Sequence, residues 1–92
     1  MKNKTIKILH LEDLPDDAEL IAKTLKNSKV HCKIMWVNNR IDYVRELKKF
    51  MPDIILADHT LPAFNSLEAL AILKYSGNEI PFILVSGTTS EE

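Results

Sequence analysis

Ile8-Leu9-His10-Leu11-Glu12-Asp13-Leu14-Pro15-Asp16-Asp17 is the stretch on which the fold of this chain turns, because one period of structure ends inside it and another begins. Residues 5–11 are β-rich and mostly apolar, as in a strand covered on both faces. The run stops at Glu12-Asp13-Leu14-Pro15. Asp16 and Asp17 then stand where helix caps and first-turn acids are favoured. Ala18, Ile21, Ala22 and Leu25 follow at helical spacing up to about Asn27. A buried strand running through acids into a helix is the first half of a βα unit.

The same unit recurs outward from this point. Cys32-Lys33-Ile34-Met35-Trp36-Val37 reads as a second strand, and Asn38-Asn39 caps a helix whose stripe is Ile41, Val44, Leu47 and Lys48, stopped by Pro52. Residues 54–57 form a short buried strand ending at Asp58. A loop over 60–66 carries a cap at its end, and Leu67, Leu70, Ala71 and Lys74 mark a third helix over 67–75. Ser76-Gly77-Asn78 closes it, and Pro81 opens a fourth strand, Phe82–Val85. The order β-α-β-α-β-α-β predicts a parallel sheet with helices on both faces. Ser86-Gly87-Thr88-Thr89-Ser90-Glu91-Glu92 has the turn, cap and first-turn acids with which a helix begins. A single domain over residues 1–92, incomplete at its C-terminus, is therefore expected.

Composition narrows the function classes. The 92 residues are 46% hydrophobic and 27% charged, with 12 basic against 13 acidic side chains. That balance belongs to one globular domain. It gives no basic footprint for nucleic acid and no general attraction to anionic membranes. The apolar runs fall far short of the roughly 20 residues of a membrane span. With no secretory signal visible, the expected location is cytoplasmic. The lone Cys32 excludes an internal disulfide and a cysteine-based metal cage, and reads as a small inert hydrophobe on its strand.

In an open parallel sheet, sites form beyond the carboxyl ends of the strands, where the strand order reverses. Glu12 and Asp13 follow the first strand and Asp58 ends the third. In a 2-1-3-4 order these strands are neighbours, so the three carboxylates converge, with Ser86 on the rim at the end of the fourth strand. Clustered carboxylates repel one another, and a hard divalent cation such as Mg2+ resolves that repulsion. A metal beside a free carboxylate oxygen and a hydroxyl suits phosphoryl transfer. Asp16 and Asp17 read instead as capping, solvated acids. His59 reads as a loop histidine at the mouth of the site, His10 as a packed or hydrogen-bonded strand residue, and Trp36 as half-buried edge packing.

Taken together, Ile8–Asp17 as quoted above, Pro52-Asp53-Ile54-Ile55-Leu56-Ala57-Asp58, Leu61-Pro62-Ala63-Phe64-Asn65-Ser66-Leu67-Glu68-Ala69-Leu70 and Pro81-Phe82-Ile83-Leu84-Val85-Ser86-Gly87 resemble the receiver domain of two-component response regulators and hybrid histidine kinases. The resemblance implies a flavodoxin-like, doubly wound α/β fold of order 2-1-3-4, with the family's fifth strand and last helices missing from this chain. It implies that Asp58 is the phospho-acceptor. Glu12 and Asp13 are similar to the family's Mg2+-holding acids, and Thr60 to the position whose backbone carbonyl completes the metal shell. Ser86 matches the switch hydroxyl, and Gly87 the small residue beside it. The implied partners are a sensor histidine kinase or a histidine phosphotransfer protein, with homodimer formation left open. No direct nucleic-acid binding, membrane association or multi-turnover metabolite chemistry is expected.

This chain departs from the family pattern in three places. It stops before the strand whose lysine pairs with the phosphoryl oxygens. Ser66 stands where glycine is usual, and Asn65 where aspartate is frequent. Two other classes stay open: a degenerate, non-phosphorylated receiver serving as a protein-interaction module, and a phosphatase with an aspartyl nucleophile. The latter is disfavoured because Asp58-His59-Thr60 lacks a second acid.

Overall fold

Strands and helices alternate along the chain as β1 (Ile6–Leu11), α1 (Pro15–Lys26), β2 (Cys32–Val37), α2 (Arg40–Lys49), β3 (Ile54–Asp58), α3 (Ser66–Ser76) and β4 (Phe82–Val85). The structure, a computed structural model, describes residues 4–58 and 64–85. The four strands form one sheet of order β2-β1-β3-β4, and every pairing is parallel. The chain steps from β1 to β2 on one side and then crosses to β3 on the other, so the order reverses between β1 and β3. This is the flavodoxin-like α/β arrangement expected from the sequence.

Alternation along the strands sorts the sheet into two faces. Leu9 and Leu11 of β1, Val37 of β2, and Ile55 and Ala57 of β3 point to one side, where they pack with Tyr43 and Leu47 of α2, Phe64, and Ala69 and Leu73 of α3. Leu9, Leu11 and Ile55 are fully buried, and each such side chain contributes about 1.5–3 kcal/mol by leaving water. The opposite face carries Ile8 and His10, both buried, on the side of α1, whose Ala18 is its buried residue. Ile21, Ala22 and Leu25 are half-buried, so the helical stripe read from the sequence is the packing face of α1.

Two expected stripes hold only in part: Leu47 is buried and Val44 and Leu70 pack against the core, but the first residue of each turns outward. Ile41 is 77% exposed and Leu67 is 73% exposed. The inward residues of α2 are Tyr43, Glu46 and Leu47, and those of α3 are Ser66, Ala69 and Leu73. Ile41 precedes Tyr43 by two residues and Leu67 precedes Ala69 by two, which is about 200° around a helix. Burying Tyr43 and Ala69 therefore turns both aliphatic residues to solvent. Tyr43 decides the matter: its hydroxyl donates to the Ala69 carbonyl at 2.8 Å, and its ring lies 5.4 Å from that of Phe64 at 59°. Burial pushes its hydroxyl well above the ordinary tyrosine range, so it stays a donor that ties α2 to α3.

Capping follows the sequence closely. The Asn39 side chain accepts from the Asp42 amide and Asn65 from the Glu68 amide, each at 2.8 Å. Gly77 ends α3 with φ 81°, the left-handed conformation that a Cβ disfavours. α1 differs: its cap residue, Leu14, has no side-chain cap bond, and Pro15 opens the helix. Among the described residues β2 and β4 are the sheet edges, and Ile83 and Leu84 of β4 are 44% and 50% exposed. Among those residues no helix is long and apolar enough to cross a membrane.

Candidate functional site at the carboxyl edge of the sheet

Parallel pairing brings the carboxyl ends of all the strands to one edge. Leu11 pairs with both Val37 and Ala57, so the next residues of β1 and β3, Glu12 and Asp58, leave the sheet side by side. Asp58 is also paired with Val85 of β4. β2 holds the Glu12 backbone at both of its polar atoms. The Glu12 amide donates to the Val37 carbonyl at 3.0 Å, and the indole N–H of Trp36 donates to the Glu12 carbonyl at 2.8 Å. Trp36 is 41% exposed, as edge packing requires, but it also clamps the site.

Both acids are deeply placed, Glu12 at 3% and Asp58 at 5% exposure. Their side chains face one another within hydrogen-bonding reach. Burial favours the protonated form of Glu12. Its pKa rises from 4.5 to about 6, first because burial penalises its charge and further because Asp58 and Asp17 are negative. The Leu14 amide, which donates to Glu12 Oε2 at 3.2 Å, works in the opposite direction. The same bond anchors the entrance to α1, where Leu14 lacks a side-chain cap.

His10 lies two residues below Glu12 on the same face of β1, opposite Leu56 of β3. Its Nε2 is 3.9 Å from Glu12 Oε1, and it is 1% exposed. Burial lowers its pKa, while the negative charges of Asp58 and Asp17 raise it. Asp17 thus belongs to the field of the site, although Asp16 is exposed, as expected of a solvated acid in the first turn.

The sequence reading gathered Glu12, Asp13 and Asp58. The structure brings Glu12 and Asp58 together. Asp13 stands one residue beyond, half-buried, and among the described residues no three His, Cys, Asp or Glu side chains group closely enough to hold a metal ion. Thr60, Ser86, His59 and Gly87 lie outside the described residues. Two participants have roles the sequence does not show: the clamp of Trp36, which reaches across 24 residues, and the approach of His10 to Glu12, where a packed or hydrogen-bonded strand residue was expected. The signal for His10 was present, since strand alternation puts residues 10 and 12 on one face.

No protein-family model matches this chain. A distant relative is known. Transcription factor SKN7 of Saccharomyces cerevisiae is 27% identical over 84 residues, which cover 91% of this chain. The chain spans 13% of that protein's length.

Proposed function

We propose that this chain is a receiver-type signalling domain in which Asp58 accepts a phosphoryl group from a phosphohistidine of a sensor kinase or phosphotransfer protein. The observation that carries the reading is the meeting of Glu12 and Asp58, both buried, where β1 and β3 part at the strand-order reversal. Buried acids pressed together cost stability, and a receiver has a use for them. The distant similarity to a transcription factor along nearly the whole chain agrees with a regulatory role. The residues fit a hard cation in chemistry, since Mg2+ binds through one or two carboxylates and keeps several waters. Glu12 and Asp58, with Asp13 beside them, would hold it, and it would supply charge neutralisation for the transferred group.

The chain's own residues do the rest. An Asp58 carboxylate oxygen forms the new O–P bond as the N–P bond of the phosphohistidine breaks, and the departing imidazole keeps the electron pair. The β1–β3 pairing holds the attacking oxygen in place, and burial limits the access of water to the product. Ser86 is assigned the switch hydroxyl and Thr60 a backbone-carbonyl contact with the metal. The chain acts once per donor and is not a multi-turnover enzyme on a metabolite.

A second reading, a non-phosphorylated interaction module of the same fold, draws on the way Glu12 and Asp58 already face one another. Intact mass after treatment with a small-molecule phosphodonor and Mg2+ separates the two. One added phosphoryl group, absent in Asp58→Asn, is expected. Uptake by that variant at parental stoichiometry overturns the Asp58 assignment, and no uptake by the full-length protein leaves the interaction module.

A further inference from the structure

His10 is a costly residue where it stands. It is 1% exposed, and neither of its ring nitrogens has a hydrogen-bond partner among the described residues. An orphaned buried donor costs about 1–3 kcal/mol, and an aliphatic side chain in the same strand position would avoid that cost. Flanking strand residues do just this, with Leu9 and Leu11 buried without a polar atom. The imidazole is also directed at the acids: its Nε2 lies 3.9 Å from Glu12 Oε1, too far for a hydrogen bond and within a small rotation of one.

The partners of Glu12 show what that gap is for. One oxygen, Oε2, is held by the Leu14 amide. The carboxyl also faces Asp58 within hydrogen-bonding reach, a contact that weakens when Asp58 engages a cation or a phosphoryl group. The imidazole below then stands 3.9 Å from Oε1 with an N–H to donate. We propose that His10 is a positioning residue that takes up Glu12 Oε1 through its Nε2–H whenever Asp58 is engaged by a cation or a phosphoryl group. A Glu12 carboxyl held by His10 has less freedom to turn, so His10 keeps it ordered in the engaged state. The inference rests on the reading of Glu12 and Asp58 as a receiver's acidic pair.

Two measurements test it. The first is Mg2+ affinity, followed by the fluorescence of Trp36, whose indole is bonded to the Glu12 carbonyl. His10→Leu is expected to bind Mg2+ about ten-fold more weakly, in the range typical of lost outer-sphere support. Its thermal midpoint should stay equal to or above the parent's, because an unpaired buried polar group has gone. His10→Gln, which keeps an N–H donor, should recover most of the affinity. Parental affinity in His10→Leu, or a loss that His10→Gln does not mend, overturns the proposal.

The second measurement needs no metal. In Asp58→Ala the Glu12 carboxyl has lost its partner, so ring-nitrogen NMR should show a His10 Nε2–H that is shifted downfield and protected from exchange. That signal should vanish when Glu12→Ala is added. Its absence from Asp58→Ala overturns the proposal even if the parent binds no Mg2+, and failure of the parent to bind Mg2+ counts against the receiver reading alone.

Discussion

Replacing Glu12 by glutamine should remove a pH dependence of stability that the buried acid pair imposes. The folded state holds the Glu12 proton more tightly than the unfolded chain does, its pKa lying at about 6 against the ordinary 4.5. The associated stabilisation is therefore complete below pH 4.5 and is lost as the pH rises through about 6. A rise from 4.5 to about 6 corresponds to about 2 kcal/mol at full strength, of which about 1–2 kcal/mol remains after solvent screening at the rim of the sheet. His10 runs the other way: burial lowers its pKa, so its contribution is present above the ordinary histidine value and is lost as the pH falls below it. The parent alone thus mixes two opposing slopes, and the difference between parent and Glu12→Gln isolates the Glu12 share. Urea unfolding in EDTA, read by Trp36 fluorescence, gives that difference at pH 4.5 and at about pH 7.5. The glutamine amide donates to Asp58 at any pH. The variant is therefore expected to gain about 1–2 kcal/mol on the parent between the two conditions. Excess Mg2+ at the higher pH should reverse the ranking, because only the parent offers the Glu12 carboxylate beside Asp58 and Asp13. Equal slopes in EDTA would refute the claim that Glu12 holds the buried proton.

Three further outcomes are expected. Tyr43→Phe deletes the 2.8 Å bond to the Ala69 carbonyl and should cost about 1 kcal/mol in urea unfolding, with the ring contact to Phe64 kept. Gly77→Ala puts a Cβ at φ 81° with nothing within 4 Å of it; the cost is one of backbone conformation alone, about 1 kcal/mol, read as a lower thermal midpoint. Asp13→Ala should abolish phosphoryl uptake from a small-molecule donor through lost metal affinity, with the thermal midpoint near the parent's, since Asp13 is only half-buried.

The sequence by itself determined the alternation of strands and helices, because apolar β-rich runs and asparagine, proline and glycine boundaries are local chemistry. Asn39 and Gly77 cap where they were expected to cap, for that reason, and the cap of α3 is Asn65, one residue before the expected loop end. It also determined that Glu12 and Asp58 leave neighbouring strands at one edge, once the order 2-1-3-4 is granted. The faces of α2 and α3 were legible only in part: Leu47, Val44 and Leu70 meet the core as their stripes require, but Ile41 and Leu67 turn outward. Ile41 and Leu67 are as hydrophobic as the residues that replaced them, and only the packing of Tyr43 against Ala69 and Phe64 selects the rotation. The immediate support of the acid pair was not legible. The Trp36 clamp depends on the β1–β2 register. The unpaired imidazole of His10 depends on which side chains close over that face. Both are contacts between residues distant in sequence or across a pleat, so the tertiary structure alone decided them.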